Sequence, residues 1–173
     1  MALDTFTLIA SQYAFEEDAL ADYDAVRSAY EDLGVIDTYD AAVVTKDADG
    51  KVKIVKKVEE PTRQGALGGL AIGLAVGALV ALFPAVAIGA GLAVGGAAGA
   101  ALGATAGHVV AGMSRSDLKE LGELLDAGTS GLVVVAAADM EARVEQAIQR
   151  GKDVVKKQVQ LDADGLKADI DSL

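Results

Sequence analysis

Cysteine and tryptophan are absent from the 173-residue chain, histidine occurs once, proline twice, and aromatic residues make up 4%. Without cysteine there is no disulfide framework, thiolate metal site, iron–sulfur cluster or thiol nucleophile. The lone His108 excludes metal sites built on several histidines. Basic residues are also scarce, 15 against 26 acids, for a net charge of −11. That balance argues against nucleic acid as a partner, because neutralising phosphates needs clustered Lys and Arg. No Gly-Lys-Ser/Thr phosphate loop occurs. Gly89-Ala90-Gly91 through Gly95 reads GxGxxxG, but no acidic residue follows about twenty positions on and no βαβ unit surrounds it, so a dinucleotide site is not expected. Met1-Ala2-Leu3-Asp4 carries no basic region ahead of an apolar core, so a secretory signal is not expected there either.

What is abundant is concentrated. Hydrophobic residues reach 52% and glycine 20 residues, while the charged fraction is an ordinary 24%. From Gln64 to Ser114, 51 consecutive residues, there is no Lys, Arg, Asp or Glu. Within this stretch Gly65 to Phe83 is a 19-residue run with no polar side chain, Pro84 follows, and in the 23 residues from Ala85 to Gly107 Thr105 is the only polar side chain. As helices the two runs would span about 28 and about 34 Å, against a bilayer hydrocarbon core of about 30 Å. The lengths predict a helical hairpin over 64–112, turning at Phe83 and Pro84. Its glycines are spaced by four: Gly65, Gly69, Gly73 and Gly77, then Gly91, Gly95, Gly99, Gly103 and Gly107. On a helix each set forms one stripe without Cβ atoms, which lets a second backbone approach closely. These nine residues are the expected helix-packing and oligomerisation surface. Flexible linkers are polar, and this run of Ala, Leu, Val and Ile is not.

The turn Leu82-Phe83-Pro84-Ala85-Val86 works against a simple double span. A loop emerging into water needs partners for its backbone groups, and no polar side chain is present here. Either the hairpin dips into the membrane without crossing, or copies of the chain cover the turn. Lys51, Lys53, Lys56, Lys57 and Arg63 precede the hairpin, and Arg115 and Lys119 follow it. Such flanks would place both ends on the cytoplasmic side.

Residues 1–63 and 113–173 are expected to form one discontinuous folded domain. Thr5 to Ser11 alternates as a strand does. Phe15, Ala19, Tyr23, Val26, Tyr30 and Leu33 predict a helix that Gly34 ends. Asp40 to Lys46 and Lys51 to Glu59 are strands around an Asp47-Ala48-Asp49-Gly50 turn. In the second half, Ser114 and Asp117 start a helix with Leu118, Leu121, Leu124 and Leu125 as its stripe and Gly128 as its close. Gly131 to Ala137 is a central strand, and Asp139 caps a helix carrying Met140, Val144, Ala147 and Ile148. Asp153 to Leu161 is a last strand, and Leu166, Ile170 and Leu173 suggest a short helical tail. The order β-α-β-β, hairpin, α-β-α-β makes the expected class α+β: a ferredoxin-like split βαβ domain, extended by one α-β unit, with the hairpin inserted.

The strand-turn-strand Ala42 to Lys53, the Gly/Ala hairpin, Leu118-Lys119-Glu120-Leu121-Gly122 and Gly128 to Val135 together resemble an uncharacterised bacterial family of membrane proteins, domain of unknown function 1269. The resemblance implies membrane association and brings no catalytic residues.

No constellation points to catalysis, a cofactor or a metal. Glu16, Glu17, Asp18, Asp22 and Asp24 crowd the first helix, where paired carboxylates can serve acid–base chemistry or hold a metal. A solvated face with acids favoured by the helix dipole is the simpler reading. Asp-Ala-Asp-Gly, at Asp47 to Gly50 and Asp162 to Gly165, has its glycine at the fourth position and lacks the spacing of a calcium loop, so turn and helix-start roles are expected. His108 is read as a histidine at the water boundary of an apolar helix. Three functions remain open: a non-enzymatic membrane-associated protein that assembles with itself, a soluble homo-oligomer whose hairpins bundle in a protein core, and a small-molecule sensor on the sheet. The expected partners are further copies of the chain and a lipid bilayer. The expected location is the cytoplasmic face of a bacterial inner membrane, with the cytoplasm as the alternative.

Overall fold

The computed structural model describes residues 4–34, 39–46, 52–57, 87–88, 107–127, 129–162, 164–165 and 168–169. Its strands are β1 (Asp4–Tyr13), β2 (Tyr39–Lys46), β3 (Val52–Lys57), β4 (Ala87–Ile88), β5 (Ser130–Ala137) and β6 (Val154–Leu161). The helices are α1 (Glu16–Leu33), α2 (Arg115–Ala127) and α3 (Glu141–Ala147), with a 3-10 turn at Ala138–Met140 and a helical segment at 107–111. The class is α+β.

Five strands form an antiparallel sheet in the order β3-β2-β5-β1-β6, and β4 adds two residues in parallel at the β3 edge. β1 and β2, joined through α1, run the same way with β5 between them. β5 and β6, joined through α3, run the same way with β1 between them. The α3–β6 unit, expected as an extension, is therefore part of the sheet's body, where β6 pairs with β1 from Asp4↔Leu161 to Ser11↔Val154. The outlying antiparallel strand is instead β3, whose pairing to β2 shifts register between Val43 and Val44.

Alternation along the strands separates two faces. On one face Ile9, Tyr13, Ala41, Val43, Leu132, Val134 and Ala136 form a buried cluster with α1 (Ala19, Tyr23, Val26, Tyr30), Val144 of α3, and the adjoining Met140 and Ile148. On the other lie Leu8, Ala10, Val133, Val135, Val159 and Leu161, all buried, with α2 against β1 and β6 and supplying Leu121 and Leu125. β5 is covered on both sides, which is why Leu132 to Ala136 carries no polar residue.

Local chemistry accounts for the helix ends. Glu16, Glu17 and Asp18 occupy the first turn of α1, where the dipole favours negative charge. Gly34 closes the helix at φ 67°, ψ 22°, its N–H donating to the Glu31 carbonyl, as expected of a left-handed cap. Phe15 and Leu33, expected on the inward stripe, are exposed, because they flank the part of α1 that meets the sheet. The hydroxyl of Ser114 accepts from the Asp117 N–H at 3.1 Å and caps α2 as expected. Asp139 does not cap α3. It lies inside the 3-10 turn, and α3 begins without a side-chain cap.

Ala87 and Ile88 correct the helical expectation for the second apolar run at these two residues: they are extended and pair with Lys53 and Ile54. At the far end of the run, 107–111 is helical, as expected. The rest of the expected hairpin, including Phe83 and Pro84, lies outside the described residues, as do the Asp47–Gly50 turn and Gly128. Among the described residues no helix is long and apolar enough to cross a membrane.

Candidate functional site

Among the described residues the most deeply buried charged group is Asp22, fully shielded on the inner face of α1. One carboxylate oxygen accepts from the Tyr13 hydroxyl at 2.9 Å and from the Arg150 N–H at 2.8 Å. The other accepts from the Arg150 guanidinium at 3.1 Å. Asp22 is thus not on the solvated face that the acid-rich sequence of α1 suggests. It joins the end of β1, the middle of α1 and the loop after α3.

Backbone contacts reinforce that junction. Lys152 N–H donates to the Gln12 carbonyl at 2.9 Å, and the Gln12 side-chain amide donates to Asp153 at 2.8 Å. Gly151 lies so close to the Ser11 side chain that a Cβ there would collide with it. Burial, reinforced by the Asp22 carboxylate, raises the Tyr13 phenol far above its ordinary pKa. Tyr13, Asp22 and Arg150 together thus cross-link three elements of the fold.

Two neighbouring lysines on β6 tie the helices of opposite faces to the sheet. Lys156 Nζ lies 2.9 Å from Glu141 and 3.1 Å from Glu145, both on α3. Lys157 Nζ lies 2.6 Å from Glu120 and 3.1 Å from Asp117, both on α2. Hydrogen bonds from Lys156 and then Thr7 lower the Glu141 pKa, and those from Ser114 and then Lys157 lower that of Asp117.

His108 has a partner that its position in the sequence does not suggest: Nε2 lies 3.0 Å from Asp169, at the described end of the chain. Of the nine stripe glycines only Gly107 is described. It is helical and exposed, and a Cβ there would meet nothing within 4 Å. Gly65, Gly69, Gly73, Gly77, Gly91, Gly95, Gly99 and Gly103 lie outside the described residues. At the second Asp-Ala-Asp-Gly, the Asp162 carboxylate accepts from the Gly165 N–H at 2.9 Å, a turn that opens into the helical pair 164–165. No cluster of three or more potential metal ligands occurs among the described residues.

Sequence reasoning missed the Asp22 junction, although one signal was available. Asp22 stands three residues after Ala19 and four before Val26, inside the apolar stripe of its own helix. An acid at that spacing faces the core and needs a buried partner.

The geometry thus describes a two-faced α+β sheet, braced by polar cross-links, whose strands come from both sides of the uncharged stretch. The chain belongs to the protein family of unknown function DUF1269, whose model matches residues 66–169. That span takes in the apolar insertion together with α2 through β6, while the Ala42 to Lys53 segment that contributed to the resemblance lies before it. Comparison with curated proteins and with solved structures gave no match.

Proposed function

We propose that this protein is a non-enzymatic, self-assembling, membrane-associated protein. Within residues 64–112, the glycine-spaced runs 65–77 and 91–107 on either side of the extended pair Ala87–Ile88 form a glycine-zipper hairpin that associates with a bilayer and with copies of itself, and the folded domain stays on the cytoplasmic face of a bacterial inner membrane. The observation that carries this reading is the 51-residue stretch without a charge, with glycine at every fourth position in both of its halves. Left in water, two such runs would expose far more contiguous apolar surface than the few hundred Å² that soluble monomers show. Lipid or another protein surface must cover them.

The domain fits this role as a platform. We read β2-β5-β1-β6, with α1 and α3 on one face, as a ferredoxin-like sheet, and β3 as an added edge strand. The insertion leaves the sheet after β3, at one edge. It returns through 107–111, and the Gly112 carbonyl then accepts from the Gln160 N–H of β6, at the other edge, at 3.2 Å. At about 4.8 Å per strand, the two edges of the five-stranded sheet are about 19 Å apart. That separation leaves room for two helices side by side.

The pairing of Ala87 and Ile88 with β3 favours a second reading. There a part of the apolar run pairs with the domain's own sheet rather than entering lipid, as suits a soluble assembly whose hairpins bundle together. Detergent-free fractionation of cells separates the two readings. Membrane association places the wild type in the membrane pellet, and Gly73→Leu/Gly99→Leu weakens its assembly there. A large lipid-free particle supports the soluble bundle. Wild type and variant that are both soluble and monomeric overturn the proposal.

A further inference from the structure

Charge is unevenly distributed over the domain. α1 carries seven acids and one base in 18 residues. Residues 51–57 read Lys-Val-Lys-Ile-Val-Lys-Lys, four lysines without an acid in a chain of net charge −11. Val52 to Lys57 of this segment are β3, the outermost antiparallel strand on its side of the sheet. Among the described residues its outer edge meets only β4, at Lys53 and Ile54. Ile54 is buried, while Lys53 and Val55 are both exposed. By strand alternation these two share the face opposite Ile54. A lysine on an edge strand discourages pairing with other sheets, and one lysine is enough for that.

We infer that the β3 edge docks onto the headgroups of an anionic lipid bilayer, with Lys53, Lys56 and Lys57 supplying the charge beside the point where the apolar insertion leaves the sheet. The inference rests on the membrane reading above and adds a lipid class to it. Continuity selects a bilayer over an acidic protein as the partner: Lys57 and the start of the chargeless run at Gln64 are seven positions apart. Attraction to an anionic surface fades within a Debye length, about 8 Å at physiological salt. Basic residues therefore contribute only where the chain meets the membrane, the place this inference assigns to β3.

The test is flotation of the full chain with vesicles of phosphatidylcholine alone and of phosphatidylcholine mixed with phosphatidylglycerol, at low and high salt. A lysine near an anionic surface strengthens binding about fivefold, the equivalent of about 1 kcal/mol. Lys53→Gln/Lys56→Gln/Lys57→Gln is therefore expected to bind the mixed vesicles on the order of a hundredfold more weakly than wild type. The two proteins should bind phosphatidylcholine alike, and high salt should remove the wild-type preference. Equal wild-type binding to both vesicle types, or full retention of the preference in the variant, overturns the inference while leaving the membrane reading intact. Binding to neither vesicle overturns both. If the triple variant fails to fold, Lys53→Gln alone, at an exposed position, should weaken binding to the mixed vesicles about fivefold, and unchanged binding overturns the inference.

Discussion

Replacing Asp22 with alanine should be among the most damaging single substitutions in the domain. It leaves the buried Tyr13 hydroxyl and the Arg150 N–H without their acceptor. A buried donor left unsatisfied costs about 1–3 kcal/mol, and the second, partly buried donor adds about 1 kcal/mol. The Arg150 guanidinium is 49% exposed and stays hydrated, so its lost ion pair adds little. The expected loss is about 2–4 kcal/mol, which for a chain of this size lowers the melting temperature by roughly 4–16 °C. Urea unfolding followed by circular dichroism measures it, and a double-mutant cycle with Tyr13→Phe isolates the coupling. Because Tyr13→Phe removes the orphaned donor, Asp22→Ala should cost less in that background. A loss under about 1 kcal/mol, with strictly additive effects, would refute the cross-link.

The raised phenol of Tyr13 makes stability depend on alkaline pH. The unfolded chain releases that proton near the ordinary value of 10, and the folded chain retains it well above. Its contribution is therefore complete below pH 10 and declines as pH climbs further, by up to about 1.4 kcal/mol per pH unit. Tyr13→Phe should flatten this decline, and parallel wild-type and variant curves above pH 10 would count against it. Gly131→Ala should cost about 1–3 kcal/mol by overpacking, because its Cβ would come within 2.5 Å of Leu125 and 3.2 Å of Val44. Gly122→Ala, in α2 with nothing within 4 Å of the added carbon, should instead stabilise by up to about 1 kcal/mol. Thermal melts of the two variants give the comparison, and a shift in the same direction for both would contradict the packing described here.

Elements governed by local chemistry were legible in the sequence. Gly34 ends α1 because a left-handed residue is needed there, and Ser114 caps α2 because its hydroxyl reaches the N–H three residues on. Leu132 to Ala136 reads as a doubly covered strand because both of its faces are apolar. Features that depend on distant pairing were not legible. Whether β3 or β6 is the outlying strand depends on which edge pairs with β1, and alternation within one strand says nothing about its neighbour. Asp22 was hidden among the surrounding acids, since its partner Arg150 is 128 residues away. The Lys157 brace and the His108–Asp169 contact were hidden in the same way, each uniting elements far apart in the chain.

The central claim, that the chargeless insertion drives association, is tested most directly by the mass of the particle in solution. Light scattering on the purified full chain, with and without detergent, should find a species far larger than the 17.5 kDa protomer when detergent is absent. Detergent should break it into small micelle-bound units, and Gly73→Leu/Gly99→Leu should shrink it. A wild-type protein that runs as a lipid-free monomer of protomer mass without detergent would contradict the account.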